Sequence, residues 1–343
     1  MVAAGLAANG IGWVVTIHDL EITQDRGVTW SKVTPPGLSA TFITSIDLGL
    51  WPTVHLAAPE GNDHVRVFAS PDGGVTWTSG PSPHDGGPDG FMDATVQFVD
   101  PSDGFLEAVF ATNTSQSLAE LLRTADGGAT WRTQKLPVSG AIEFSSVNDG
   151  WLLGGTLGNQ FFRTRDGGIT WTAVTIPVPP TAAGHKAWPM LPAVNGDQLT
   201  MPVAFEVDGG GSSLLGMYLS HDGGTTWAAA GPLTMLSADG SGGPIAVAPG
   251  FILAVSPAAQ GFLSLTVGPE SGATPVANAV ASNLVGAGTG PADNAAAGLE
   301  VTADGAAWSL ETHWSCQAPK VCQQSQSLWA SADRGVTWTE LHP

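Results

Sequence analysis

The sequence predicts an all-β protein, a seven-bladed β-propeller whose blades are four-stranded and antiparallel. Three observations lead to this fold class. An eight-residue motif, Ser/Thr-x-Asp-x-Gly-x-Thr-Trp, occurs six times in 343 residues. With a degenerate seventh copy at 268–275 included, successive copies are separated by roughly 40 to 60 residues, a period typical of repeat architectures. Each interval contains short apolar runs separated by turn residues, which is enough for four strands. Sheets repeated around an axis leave only short, protected edges, as in propellers.

Each position of the motif has a local structural role. The Asp carboxylate can accept hydrogen bonds from backbone N–H groups of the same turn, and Gly supplies a backbone angle that other residues avoid. The Thr-Trp pair then begins a strand and brings a large apolar side chain for burial. A degenerate seventh copy, 268–275, has Glu270 at the Asp position and Pro275 at the Trp position. The motif aspartates, which we interpret as structural, are Asp25, Asp72, Asp126, Asp166, Asp222 and Asp333.

The segment 141–171 shows the repeating unit most clearly. It contains strand, turn, strand, turn, strand, motif and a last strand, which places each motif turn between the third and fourth strands. We therefore expect one domain spanning 1–343. Its predicted blades are 1–36, 37–83, 90–137, 139–178, 185–232, 243–280 and 297–343.

The composition excludes two classes of partner. The chain has 11 Lys and Arg residues, a net charge of −19 and a sequence pI near 4.4. Nucleic-acid binding requires a basic surface, so we expect none. No apolar run approaches the length of a membrane helix, so no membrane insertion is expected. This acidic protein is expected to be a monomer, extracellular or on the cell surface, with no leader in this chain.

Two cysteines lie in the segment 313–327, which we place as an insertion between the second and third strands of the last blade. A disulfide between Cys316 and Cys322 is the favoured interpretation and would indicate an oxidising compartment. Two free thiols are the alternative. Two cysteines by themselves do not form a cysteine-based zinc site.

The motif resembles the Asp-box, or BNR, repeat of the sialidase superfamily. The fuller unit, with an aromatic residue after Gly, the run FFRTRDGG and then Thr-Trp, is similar to seven-bladed propellers of the photosystem II stability/assembly-factor type. Sialidases are expected to carry three substrate-binding arginines and a Tyr nucleophile. Here six of the seven arginines lie in or near motifs, and Tyr218 lies on a third strand. The resemblance therefore implies architecture and does not carry sialidase catalytic residues over.

Two glutamates are the candidates for catalysis. Glu143 and Glu300 occupy equivalent first-strand positions, where Gln97 stands in the third blade, and first strands line a propeller's channel. Paired carboxylates about 5–9.5 Å apart can hydrolyse glycosides. A glycoside hydrolase is therefore one alternative, and solvated channel residues or a cation site are others.

A binding protein is the leading hypothesis. Long loops on a rigid scaffold often carry function, and here they are predicted opposite the motif turns. A secreted, non-enzymatic propeller would bind a protein or carbohydrate partner there, and an assembly factor for a complex is a further alternative. No cofactor is predicted. The loop 79–93 has two interpretations, a site for a structural Ca²⁺ or a solvated loop without an ion. The candidate residues on this face are Glu60, Asp63, His64, His84, Asp85, Asp89, Asp93, His185, Glu206 and Asp208.

Overall fold

The protein is a β-propeller of antiparallel sheets. The structure is a computed structural model. It describes residues 3–7, 10–61, 64–80, 90–111, 117–207, 212–237, 244–256, 261–266, 276–281, 295–318 and 321–343. Seven sheets follow one another along the chain, each built from strands that are contiguous in sequence. We number the strands β1 to β30 in chain order and the sheets first to seventh.

The first four sheets are four-stranded blades with consecutive strand order. The first contains β1 (Ala3–Leu6), β2 (Gly12–Val15), β3 (Leu20–Thr23) and β4 (Ser31–Lys32). The second contains β5 (Ser45–Asp47), β6 (Val54–Glu60), β7 (His64–Ser70) and β8 (Thr78–Ser79). The third contains β9 (Phe91–Phe98), β10 (Gly104–Ala111), β11 (Ser117–Thr124) and β12 (Arg132–Gln134). The fourth contains β13 (Gly140–Phe144), β14 (Gly150–Gly154), β15 (Gln160–Thr164) and β16 (Thr172–Ala173).

The fifth sheet differs from the others because it has six strands. It contains β17 (Ala187–Pro189), β18 (Ala193–Asn195), β19 (Gln198–Val207), β20 (Ser212–Ser220), β21 (Ala228–Ala229) and β22 (Thr234–Ser237). The sixth contains β23 (Ile245–Ala248), β24 (Phe251–Ser256), β25 (Gly261–Thr266) and β26 (Val276–Ala281). The seventh contains β27 (Ala295–Val301), β28 (Ala307–Ala318), β29 (Val321–Ser331) and β30 (Thr339–Leu341). Two short 3-10 helices lie at Ala40–Phe42 and Pro180–Ala182.

The expectation of seven four-stranded blades is therefore wrong: the described residues form six such blades and one six-stranded sheet. The outer strand on each side of the central hairpin is divided into two short strands: β17 and β18 both pair with β19, and β21 and β22 both pair with β20. Pro192 lies between β17 and β18, and Pro232 lies between β21 and β22. Proline has no N–H to donate to a neighbouring strand, which is the physical reason for the interruption.

The motif turns share one hydrogen-bonding pattern. In the fourth sheet, Asp166 accepts hydrogen bonds from the Thr164 hydroxyl at 2.8 Å, the Thr170 N–H at 2.8 Å and the Thr170 hydroxyl at 2.6 Å. The same contacts recur at Asp25 and Asp333, and all six motif aspartates lie in turns between paired strands. These hydrogen bonds favour the ionised form, so the pKa of the Asp166 carboxyl lies below its usual value. The degenerate copy at 268–275 lies outside the described residues.

Backbone angles explain the glycines of the motif. The residue after each Asp has a positive φ, which glycine adopts without strain. Four copies have glycine there, but Arg26 and Arg334 adopt φ values of 62° and 61°. Each arginine contacts a feature outside its own turn: Arg26 forms an ion pair with Asp304, and Arg334 stacks over Phe251. These contacts offset a left-handed conformation that costs a non-glycine residue about 1–2 kcal/mol.

The apolar core lies mainly within and between the sheets and is richest in second-strand residues. In β6, the run from Val54 to Ala58 is buried throughout. Aromatic rings join neighbouring sheets: Phe105 of the third sheet stacks on Phe144 of the fourth, with centroids 3.5 Å apart. Such contacts bury large apolar areas and fix the relative position of the sheets.

The segment 313–327 is a correction to the sequence analysis. It is not a separate insertion, because β28 and β29 continue through it as one long hairpin in which Cys316 lies opposite Cys322 in the backbone register. The side chains of both cysteines lie outside the described residues, so the disulfide stays a prediction. Across the described part of the chain, no helix has the length and apolar character needed to cross a membrane.

Candidate functional site

A cavity of about 330 Å³ opens between the third and fourth sheets. It lies at the ends of β9 and β10 that are remote from the motif turn at Asp126, beside the beginning of β13. Two carboxylates, two hydroxyls and several small residues form its wall. The lining residues are Asp93, Ala94, Thr95, Glu107, Val109, Ala119, Ser139, Gly140 and Ala141.

Strand register explains why the polar groups meet. Thr95 of β9 lies opposite Glu107 of β10, and Asp93 lies opposite Val109. Because side chains alternate along a strand, these four residues share one face of the third sheet. The face is directed toward β13, where the Ser139 hydroxyl accepts a hydrogen bond from the Ala119 N–H at 3.0 Å.

Glu107 is the buried carboxyl of this site, with 9% of its surface exposed. Burial raises the pKa of its carboxyl to about 7. A hydrogen bond from the Ile142 N–H opposes that shift, and the negative charge of Asp93 adds to it. Asp93 itself is exposed at the mouth of the cavity. The site therefore combines a carboxyl that changes its protonation near neutral pH with a second carboxylate close by.

The chemistry of this lining favours ligands rich in hydrogen-bond donors. Carboxylate and hydroxyl oxygens accept hydrogen bonds from ammonium, guanidinium or sugar hydroxyl groups. No Lys or Arg belongs to the lining, so the carboxylates have no intramolecular cation in the cavity itself. The alanines leave space beside the polar groups, whereas Gly140 lets its strand approach the backbone of Leu153 and Gly154, where a Cβ atom would clash.

The two proposed catalytic glutamates are not among the residues that line this cavity. Glu143 lies on β13 and Glu300 on β27, in the fourth and seventh sheets, which are not neighbours. Burial raises the pKa of each carboxyl to about 7. Glu300 accepts a hydrogen bond from the Leu6 N–H of the first sheet. The two glutamates therefore lie on first strands of sheets that are not adjacent, and Glu300 joins the seventh sheet to the first. Their pairing as catalytic residues stays a prediction.

Gln97 shows that this joining role recurs. Its side-chain amide donates to the Phe144 carbonyl at 2.7 Å and accepts from the Phe144 N–H at 2.8 Å. Asp47 does the same from the second to the third sheet, where it accepts from the Phe98 N–H at 2.7 Å. First strands are sheet edges with free backbone groups, and polar side chains of the preceding sheet satisfy them.

The candidate residues of the loop face have diverse positions. Four of those expected in loops lie in strands: Glu60 ends β6, His64 begins β7, and Asp93 and Glu206 lie within β9 and β19. The expectation of loops is wrong for these residues because the central hairpins are longer than the turn-rich sequence indicated. His185 follows the helix Pro180–Ala182. Asp63, His84, Asp85, Asp89 and Asp208 lie outside the described residues.

Of the candidates that the structure describes, Asp93 alone lines the cavity, while Glu60 forms an ion pair with Arg66. The proposed Ca²⁺ loop falls mostly outside the described residues. In the part of the chain that is described, no three His, Cys, Asp or Glu side chains gather in a way that could hold a metal ion.

Sequence reasoning missed Glu107. The available signal was its place in Gly104–Ala111, an otherwise apolar strand in which a single charged residue stands among Phe, Leu, Ala and Val. Charged side chains are seldom buried without a partner or a function. That signal marks Glu107 but does not reveal that residues of the fourth sheet lie beside it.

Comparisons with known proteins concern the architecture. No family model matches the chain, and no curated protein matches it. Among solved structures, YCF48 from Cyanidioschyzon merolae is 17% identical over 91% of this chain and 88% of its own, with a TM-score of 0.48. A structure of YCF48 bound to D1 peptide is 18% identical over 71% of this chain and 80% of its own, with a TM-score of 0.33.

A third solved structure is the GH93 α-L-arabinofuranosidase of Fusarium graminearum in complex with arabinobiose. It is 14% identical over 86% of this chain and 95% of its own, with a TM-score of 0.46. At such identities and scores, the likeness concerns the fold and carries no argument about activity.

Proposed function

We propose that this protein is a binding protein that takes a basic side chain of a protein partner into the cavity between the third and fourth sheets. The observation that carries the proposal is the pairing of Asp93 with the buried Glu107 in a cavity whose lining contains no Lys or Arg. A Lys or Arg side chain would supply the missing positive charge and donate to both carboxylates. The net charge of −19 would also favour the approach of a basic partner.

The proposal includes an architecture, which is a seven-bladed propeller of the Asp-box, or BNR, type. We infer that the six motif turns are structural Asp boxes and that the six-stranded fifth sheet takes a blade's place in the ring. We further propose that the protein acts as a monomer outside the cytosol. Size-exclusion chromatography with light scattering tests the monomer, and titration of thiols in the unfolded, unreduced chain tests the disulfide.

A glycoside hydrolase is the second candidate function, favoured by the pKa of Glu107. A general acid in glycoside hydrolysis needs a raised pKa, and Glu107 has one beside a second carboxylate. In this role Glu107 would protonate the leaving oxygen, and Asp93 would act as base or nucleophile. An assembly role for a protein complex, by contrast, would be a form of the partner binding proposed above.

The direct test measures binding of three short peptides that differ at one position, which is Lys, Arg or norleucine. Titration calorimetry on the wild type is compared with Asp93→Asn and Glu107→Gln. The Gln side chain retains an oxygen that can accept the Ile142 N–H, so this variant preserves the link between the sheets. We expect the Lys or Arg peptide to bind and Asp93→Asn to weaken it about tenfold, in line with loss of one charge-assisted hydrogen bond.

The matched control is Asp197→Asn. It makes the same change of charge at an exposed residue beside the motif turn of Gly223, and should leave binding unchanged. Equal binding of the norleucine peptide, or an unchanged affinity in Asp93→Asn, would refute the proposal. Release of sugar from an oligosaccharide panel, lost in Glu107→Gln, would favour the hydrolase instead.

A further inference from the structure

The first and seventh sheets meet at a seam that none of the described strands crosses. The first sheet contains only residues from Ala3 to Lys32, and the seventh only residues from Ala295 to Leu341. Every other pair of neighbouring sheets is joined by the chain itself. A covalent connection keeps two partners at high effective concentration. The seam lacks that connection, so its closure depends on side-chain contacts.

Apolar and ionic contacts hold the outer part of this seam. Trp308 of β28 packs against Trp30, with ring centroids 5.8 Å apart, and both belong to a buried cluster that includes Val14. On the motif side, Arg26 reaches Asp304 at 3.1 Å. Both charged side chains are substantially exposed, so solvent weakens this ion pair.

The inner part of the seam is held by Glu300. Its carboxylate oxygen accepts the Leu6 N–H, which belongs to the edge strand β1. Among the described residues, the elements that pack most extensively against β27 are β1, β23 and β28. β1 (AAGL) and β23 (IAVA) carry no ionisable side chain, and Glu311 is the ionisable group of β28 whose side chain is described. Arg26 and Asp304 at the adjoining turn form an ion pair with each other, so we do not assign Arg26 to Glu300 as a counter-ion.

The molecule contains an uncharged counterpart of this contact. At the junction of the third and fourth sheets, Gln97 binds the Phe144 N–H as Glu300 binds the Leu6 N–H. The two residues occupy first strands in their respective sheets. The difference is that the amide of Gln97 cannot ionise, whereas burial raises the pKa of the Glu300 carboxyl to about 7.

We propose that the seam between the seventh and first sheets is a pH-sensitive latch, at which the ring opens locally when the Glu300 carboxyl ionises. In the closed seam the carboxyl is buried, and its charged form loses hydration that the open seam restores. Acid therefore favours closure. The linkage works between the usual pKa of a glutamate, about 4.5, and the raised value of about 7.

Hydrogen exchange of two amides tests the latch. The protection factors of the Leu6 and Phe144 amides are measured by NMR at pH 5 and pH 7.5, each corrected for the intrinsic exchange rate at that pH. From the two pKa values, the Leu6 protection factor should fall roughly 50-fold between these conditions. The Phe144 amide is measured in Glu107→Gln, because the Glu107 carboxyl at the same junction also has a raised pKa, and in that variant the Phe144 protection factor should stay nearly constant. In Glu300→Gln, the Leu6 protection factor should become independent of pH.

Glu143→Gln is the control, because it makes the same substitution on a first strand away from the seam and should leave the fall at Leu6 intact. Three results would overturn the proposal: a Leu6 protection factor that does not change with pH, an equal fall at Phe144 in Glu107→Gln, or an unaltered fall at Leu6 in Glu300→Gln. If Glu300→Gln fails to fold, the comparison of Leu6 with Phe144 in Glu107→Gln still decides. None of these outcomes depends on what binds the cavity between the third and fourth sheets.

Discussion

Replacement of His55 by Phe should remove a defined part of the protein's sensitivity to acid. His55 is 4% exposed, and its ring stacks on Phe98 of the neighbouring sheet with centroids 3.6 Å apart. Its Nδ1 atom is buried and has no hydrogen-bond partner among the residues that the structure describes. Burial lowers the pKa of the imidazole from 6.5 to about 4. The folded protein therefore holds this ring neutral at a pH at which the unfolded chain would protonate it.

The sign and magnitude follow from this difference in pKa. Below about pH 6.5 the unfolded state binds a proton that the folded state does not, so stability falls as pH decreases from 6.5 toward 4. Between pH 7 and pH 5 the contribution of His55 is about 2 kcal/mol. Phe retains the aromatic stack and cannot ionise, so the variant should lose about 2 kcal/mol less than the wild type over this interval.

The assay is urea unfolding of the wild type and His55→Phe at both pH values. Comparing the pH-induced change within each protein cancels any constant difference in packing. His18→Gln is the control, because this histidine is exposed and its removal should leave the pH dependence unaltered. If the wild type and His55→Phe lose the same free energy of unfolding between pH 7 and pH 5, burial of His55 does not govern its protonation.

Three further changes test other contacts. Asp166→Ala removes the hydrogen-bond acceptor of the motif turn and should lower the free energy of unfolding by about 1–3 kcal/mol in urea unfolding. An unchanged unfolding midpoint would contradict a structural role of Asp166. Glu143→Gln should stabilise the fold by up to about 3 kcal/mol at pH 8 and little at pH 4.5, because burial raises the pKa of the Glu143 carboxyl to about 7 and makes its ionisation in the folded state costly. Equal stabilisation at both pH values in urea unfolding would refute this explanation. Tyr218→Phe removes the hydrogen bond from its hydroxyl to the Pro177 carbonyl, 2.6 Å long, and should cost about 1 kcal/mol in thermal unfolding.

Much of the fold could be predicted because its signals are local. The hydrogen bonds of the motif at Asp166 connect residues at most four positions apart. The alternation of short apolar runs and turns likewise defines hairpins within one repeat. The count of four strands per blade was wrong in the fifth sheet, where each outer strand is divided in two and both parts pair with the central hairpin. Prolines mark the interruptions, but whether the chain resumes pairing after them depends on the neighbouring strand, which the sequence pattern does not reveal.

By itself, the sequence determined the all-β repeat, its motif turns and the acidic character of the surface, because composition and short-range hydrogen bonds require no knowledge of distant neighbours. Only the tertiary structure decided that Glu107 is buried in a cavity beside β13, and that Glu300 binds Leu6 across the seam. The physical reason is that burial and charge depend on which sheets become neighbours. Glu300 and Leu6 are 294 positions apart, and only closure of the ring brings them together.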